Sequence, residues 1–213
     1  LGMINMFDQM FSDRKYNIGG FDLISLLSNS LDGTSMSADE YIGNVVLLIV
    51  GGNDTTRNAL SGSALALSGS PKQNSKLRAN RELIPNFVSE AIRWQTPVAH
   101  MKRTALQDTS IGGKKIREGE KVVMWYASGN RDEEIFENPY DLIIDRPNAR
   151  NHLSFGFGIH RCVGNRLGEL TLKIAWEELL KRFETIEVVD TPKRIYSNVT
   201  MGYSELLVKV KRF

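Results

Sequence analysis

The chain has 213 residues, 41% hydrophobic and 24% charged, with a formal net charge of +2 at pH 7. This is the composition of an ordinary soluble globular protein with room for a substantial core, and the charge is too small to draw the chain to nucleic acid. The longest apolar run, Ile42 to Val50, is interrupted by Asn44 and falls well short of the roughly 20 residues of a membrane-spanning helix.

Residues 1–15 carry the pattern of an amphipathic helix, broken by Asn17-Ile18-Gly19-Gly20. The chain opens at Leu1, inside that pattern, so it is expected to be a fragment; no targeting segment is visible. Phe21 to Leu27 reads as a short apolar helix. Ser37-Ala38-Asp39-Glu40 is a capping box, with a serine at the cap and a glutamate three residues on. It opens a helix predicted to run to about Leu67, ~45 Å at 1.5 Å per residue, with Gly69 and Pro71 as stop signals. At its centre stands Gly51-Gly52-Asn53-Asp54-Thr55-Thr56. Two interior glycines cost a helix about 1 kcal/mol each relative to alanine. They call either for tight helix packing or for a local opening over a ligand, where the neighbouring acid and hydroxyl could relay protons.

A further helix is predicted from about Pro85 to Gln95, ended by Thr96-Pro97. Glu90 and Arg93 share one face of it, one turn apart, an arrangement usually worth little at a surface. Val98 to Tyr126 is strand-like, with turn signals at Gly112-Gly113 and Glu118-Gly119-Glu120. Asn130 to Arg150 is rich in loop residues.

Phe155 to Gly164 then reads Phe-Gly-Phe-Gly-Ile-His-Arg-Cys-Val-Gly and holds the sole cysteine, Cys162. One cysteine makes no intramolecular disulfide and no CxxC pair. Val163, Leu167, Leu170, Ile174, Leu179, Leu180 and Phe183 follow at helical spacing, which places Cys162 at a helix N-terminus. Free N–H groups and the helix dipole there favour a thiolate. Taken alone, a free cysteine is more often a buried structural one. A lone thiolate on a glycine-punctuated turn also suits haem iron, with a porphyrin lying flat against the turn. A mixed strand and turn tail closes the chain at Phe213, giving a mainly α protein with small β-sheets.

The run Phe155-Gly156-x-Gly158-x-His160-x-Cys162-x-Gly164 resembles the haem-binding loop of the cytochrome P450 superfamily. The match extends over essentially the whole chain, which would be a single partial domain, residues 1–213, from the C-terminal half of that fold. The resemblance implies that Cys162 ligates the iron of haem b and that Phe155 and Gly156 line the haem loop. Arg103 and His160 would hold the propionates, and His152 would anchor the loop. Asp54 and Thr55 match the oxygen-activation motif of the central helix, Thr55 hydrogen-bonding the activated oxygen and Asp54 bringing protons from solvent. Glu90 and Arg93 match the Glu-x-x-Arg signature, with Arg146 in Ile-Asp-Arg-Pro as the second arginine of a structural triad.

The wording is close to one subgroup, in Val50 to Asn58, Arg93 to Pro97, Met124 to Asp132 and His152 to Arg166: the soluble bacterial alkane and fatty-acid terminal hydroxylases. That likeness implies insertion of one atom of O2 at a methyl end of a small hydrophobic substrate. Electrons would come from NAD(P)H through ferredoxin reductase and ferredoxin to a cytoplasmic monomer. The substrate side would be lined by Val50 and Gly51, by Val98, Ala99, His100 and Met101, and by Val199, Thr200 and Met201. Arg161, Arg166 and Lys173 read equally as a solvated helix face or as a landing patch for an acidic electron donor. Hydroxylation of a terpene or steroid, or an inactive haem-binding fragment, are the alternative readings.

Overall fold

The computed structural model describes residues 2–15, 20–29 and 36–213; the predicted break at Asn17 to Gly19 lies outside them. The chain divides into two compact units, Leu1–Asp54 and Thr55–Phe213.

In the first unit, α1 (Gly2–Arg14) and α2 (Leu23–Ser28) precede the start of α3 (Ala38–Ser68). Asp22 caps α2 by accepting from the Ser25 backbone N–H at 3.1 Å, and Arg14 pairs with the same carboxylate. Both arms of the predicted capping box are present on α3. The Ser37 hydroxyl oxygen accepts from Glu40 N–H at 3.3 Å, and Glu40 accepts from Ser37 N–H at 2.9 Å. Phe11 lies 4.4 Å, ring to ring, from buried Tyr41.

α3 runs unbroken for 31 residues. The expected opening at Gly51-Gly52 is therefore absent. A β-carbon on Gly51 or Gly52 would meet nothing within 4 Å among the described residues.

In the second unit, the C-terminal part of α3 is followed by α4 (Pro71–Ala79), α5 (Ile84–Gln95), the four-residue α6 (Tyr126–Gly129) and α7 (Asn165–Arg182). The reading of Pro71 as a stop signal was incomplete, because α4 begins on it. Proline lacks the N–H that a first helical residue leaves unpaired anyway, so it ends one helix and starts the next. Apolar faces of α3, α5 and α7 enclose the core, with Phe87 meeting Trp176 edge-on at 5.2 Å. The Trp176 indole N–H is satisfied by the Ser63 hydroxyl at 2.9 Å.

Four two-stranded antiparallel sheets flank these helices. β1 (Met101–Thr104) pairs β4 (Lys121–Met124), and β2 (Thr109–Ile111) pairs β3 (Lys114–Ile116) as a hairpin nested between them in sequence. β5 (Phe183–Val188) pairs the C-terminal β8 (Val208–Arg212), and β6 (Lys193–Arg194) pairs β7 (Tyr203–Glu205).

α7 carries two apolar faces. Leu172, Trp176 and Leu180 are buried in the core at i, i+4 and i+8. The stripe Leu167, Leu170 and Ile174, continuing Val163 just before the helix, is exposed.

Candidate functional site

Cys162 sits three residues before α7, on a loop folded back on itself by a hydrogen bond from its own N–H to the Phe155 carbonyl at 2.8 Å. Gly156 and Gly158 make the fold-back possible, with φ of 68° and 77°, values that a side chain rarely tolerates. The thiol is exposed. A β-carbon on Gly164 would stand 4.0 Å from its sulfur, an ordinary contact distance. Phe157, Ile159 and Val163 around it are more than 85% exposed. A single soft sulfur donor, an open approach and an apolar surround fit a flat, largely apolar macrocycle such as haem. Among the described residues no group of three or more His, Cys, Asp or Glu side chains could instead hold a metal ion.

What gives the loop its shape lies behind it. Glu90 and Arg93 of α5 have 0% side-chain exposure, and Arg146 has 2%. Arg93 Nε and Nη2 donate to the Glu90 carboxylate at 2.7 and 2.8 Å, and Arg146 Nε donates to both its oxygens at 3.1 and 3.0 Å. Further guanidinium N–H groups are taken up by backbone carbonyls. Arg93 reaches Asn130, Pro139 and Asp141, and Arg146 reaches Glu137, Asn138 and Asp141. Two cations share one carboxylate here, and the segment 137–141 supplies the oxygen that water would otherwise provide. The Phe136 ring packs against both guanidiniums, at 5.1 and 5.9 Å.

Asn130, the first residue of a stretch whose sequence reads only as loop, links this cluster to the start of the cysteine loop. It is fully buried. Its Nδ2 donates to Thr96 Oγ1 and Ser154 Oγ, both at 2.8 Å, and its Oδ1 accepts from Leu153 N–H at 2.6 Å. Ser154 in turn donates to the Ile92 carbonyl at 2.9 Å. Thr96 ends α5 with a left-handed φ of 45°, uncommon for a β-branched residue, and its hydroxyl donates to Arg93 O at 2.6 Å. His152 is buried beside Phe155, and its Nδ1 accepts from Ser154 N–H at 3.2 Å. Burial, and then the nearby Arg161 and Arg93 charges, push its pKa down to about 4, so the ring is neutral at physiological pH.

Of the expected haem partners, His160 is exposed in a 3-10 turn two residues before Cys162, and Arg103 is exposed on β1. Among the described residues neither is in an ion pair. Val98 and Thr200 form an antiparallel bridge, Ala99 N–H donates to the Val199 carbonyl at 2.8 Å, and Met201 N–H donates to the Pro97 carbonyl at 2.8 Å. Residues 97–99 and 199–201 are thereby laced side by side, while Met101 pairs with Met124 of β4. His100 lies edge-on to Trp125 at 4.6 Å. Val50 and Gly51 are exposed on α3 in the first unit, and Asp54 and Thr55 are consecutive on the same helix. Arg161 and Arg166 are exposed, whereas Lys173 is paired with Glu177 at 3.6 Å.

A family model described as Cytochrome P450 matches residues 2–211. Linalool 8-monooxygenase from Pseudomonas putida is 41% identical over 201 residues, covering 94% of this chain and 49% of its own length. A methyl-branched lipid omega-hydroxylase from Mycobacterium bovis is 36% identical over 198 residues, covering 92% of this chain and 46% of its own length. Among solved structures, Cytochrome P450-153 from Novosphingobium aromaticivorans superimposes with a TM-score of 0.92 at 48% identity, over 99% of this chain and 52% of its own. The chain spans about half the length of the curated relatives it matches.

Proposed function

The chain belongs to the cytochrome P450 family, and from that premise we propose that it forms the thiolate-bearing part of a haem monooxygenase acting on the terminal carbon of medium-chain alkanes or fatty acids. Haem iron, when bound, supplies the activation of O2, so that one oxygen atom enters a C–H bond and the other leaves as water at the cost of two electrons and two protons. Cys162 holds the group through its sulfur, and Arg103 and His160 hold its carboxylates. Phe155 and Gly156 shape the loop on which it rests. Asp54 and Thr55 hold and pass protons on the oxygen side.

The paired segments 98–101 and 199–201 form one wall of the substrate site and keep water from it. Their backbone lacing, which brings Val98 and Ala99 beside Val199 and Met201, is the observation that supports a hydrocarbon substrate, since apolar side chains recognise shape and burial. Arg161 and Arg166 offer positive charge to an acidic ferredoxin, itself reduced from NAD(P)H by a ferredoxin reductase. A cytoplasmic monomer completes the reading. Among the described residues no helix is long and apolar enough to cross a membrane.

The likeness to linalool 8-monooxygenase, at 41% identity, keeps a terpene alcohol as the second reading. A full-length protein carrying these residues, supplied with ferredoxin, its reductase and NAD(P)H, should convert medium-chain alkanes or fatty acids chiefly to their terminal alcohols. Turnover of linalool with none of these chains would replace the aliphatic reading. Replacing Cys162 with serine should abolish the thiolate-type Soret band of the ferrous carbonyl complex, and survival of that band would remove the thiolate assignment.

A further inference from the structure

The last side chain of α5 is a buried glutamine, and neither the cysteine loop nor the ion cluster uses it. Gln95 is 3% exposed. Its Nε2 donates to the Met201 carbonyl at 2.7 Å, and its Oε1 accepts from the Tyr203 hydroxyl at 2.9 Å. The carboxamide lies across α3 at Gly62, where a β-carbon would overlap it. One residue further along the tail, Asn58 of α3 presses its own carboxamide onto Gly202, again with no room for a β-carbon. Residues 201–203 are therefore gripped between two helices, with Gln95 the only one of these side chains that bonds to the tail on both sides of Gly202.

The consequence reaches the adjoining wall. Gln95 stands two residues before Pro97, whose carbonyl accepts from Met201 N–H, so both backbone polar groups of Met201 are fixed from the α5 terminus. Thr96 between them is held in its left-handed conformation by Arg93 and Asn130. A shift of Met201 against Pro97 would stretch the hydrogen bond from Gln95 to the Met201 carbonyl along with the backbone bond between the two segments.

The geometry points to Gln95 as a positioning residue that sets the height of the 199–201 segment against 98–101, and through it the length of ligand the wall accepts. This rests on the reading that these two segments line the substrate site. It does not depend on which hydrocarbon is the natural substrate.

The test uses a full-length, haem-loaded protein carrying these residues and a series of n-alkylimidazoles from imidazole to dodecylimidazole, with binding read from the shift of the haem visible band. In Gln95→Leu, which keeps bulk and removes both hydrogen bonds, affinity for the long members should change by about fivefold to tenfold, the equivalent of one or two lost buried hydrogen bonds. Imidazole itself should bind within about twofold of wild type, because it does not reach the wall. Val98→Phe serves as the control for the lining itself. If Val98→Phe alters the length dependence and Gln95→Leu does not, the role of Gln95 is overturned and the lining stands. If neither alters it, the lining reading fails and takes the inference with it. A uniform change across the series in Gln95→Leu would mean a merely structural residue and would also overturn the proposal. Should Gln95→Leu not fold, Tyr203→Phe decides. It frees Gln95 Oε1 alone, and should produce a shift of about twofold to threefold confined to the long members; a flat response there refutes the role.

Discussion

Replacing Asn130 with alanine isolates the link between the ion cluster and the cysteine loop. The substitution removes three side-chain hydrogen bonds of 2.6 to 2.8 Å from a fully buried position and leaves the backbone contacts of residue 130 in place. Thr96 and Ser154 each lose one donor but keep their own donations to Arg93 O and Ile92 O. Leu153 N–H loses its acceptor outright. An orphaned buried donor costs about 1–3 kcal/mol and the two lost acceptances about 0.5–1 kcal/mol each, so we expect a total near 3 kcal/mol. Urea unfolding of the haem-loaded, full-length protein should show that loss as a lower midpoint at unchanged slope. Because Leu153 and Ser154 lead directly into the Phe155–Cys162 fold-back, haem transfer to a scavenging globin should accelerate in parallel. A cycle of Asn130→Ala with Ser154→Ala should return a coupling of about 1 kcal/mol. A loss under about 0.5 kcal/mol with unchanged haem transfer would refute the idea that Asn130 carries order from α5 to the loop.

Three further outcomes follow from the same geometry. Glu90→Gln leaves two buried guanidiniums without a counter-charge and should cost about 3–5 kcal/mol, enough to prevent haem-loaded protein from accumulating; a urea midpoint near that of wild type would contradict it. His152 has a folded pKa of about 4 against an ordinary value of 6.5, so the folded state favours the neutral ring and the unfolded chain takes up the proton first as pH falls. Its contribution is intact above pH 6.5 and is lost progressively down to about pH 4, at up to about 1.4 kcal/mol per pH unit and about 3 kcal/mol in all; His152→Gln should flatten that part of the stability profile, and an unchanged acid limb would be the contrary result. Thr55→Ala should retain haem while a larger share of the NAD(P)H consumed appears as hydrogen peroxide; an unchanged ratio of product to reductant would remove Thr55 from the proton path.

What the sequence made legible was whatever is local in the chain. The Ser37–Glu40 capping box and the Thr96-Pro97 stop are written within four residues, and both appear as expected. Pro71 was ambiguous because one residue type serves a helix end and a helix start. The apolar spacing of α7 predicted the helix correctly but not which face is buried: Leu172, Trp176 and Leu180 enter the core, while Leu167 and Leu170 do not. By spacing alone Glu90 and Arg93 look like an ordinary surface pair; only the family resemblance points to Arg146, which lies 56 residues from Glu90 and bonds to its carboxylate. Asn130 and Gln95 escaped notice for the same reason. A lone amide in a sequence reads as solvated, and their partners lie 23 to 108 residues away. The Asn-Arg-Asp that followed Gly129 was a visible motif, but only its burial gives the first residue a role.

The two buried arginines also govern the order of events as the chain folds. Arg93 bonds to carbonyls 37 to 48 residues downstream, and Ser154 closes on α5 across 62 residues. Each closure must overcome loop entropy before its hydrogen bonds compensate, and desolvating Glu90 and Arg93 before residues 137–146 arrive would leave charge buried with half its partners missing. During N-to-C synthesis α5 is therefore expected to stay hydrated until the chain through Ser154 has emerged. The loop bearing Cys162 should then take its shape after α5 has closed on residues 137–154, so a cofactor would meet a finished loop rather than act as the nucleus around which this region folds.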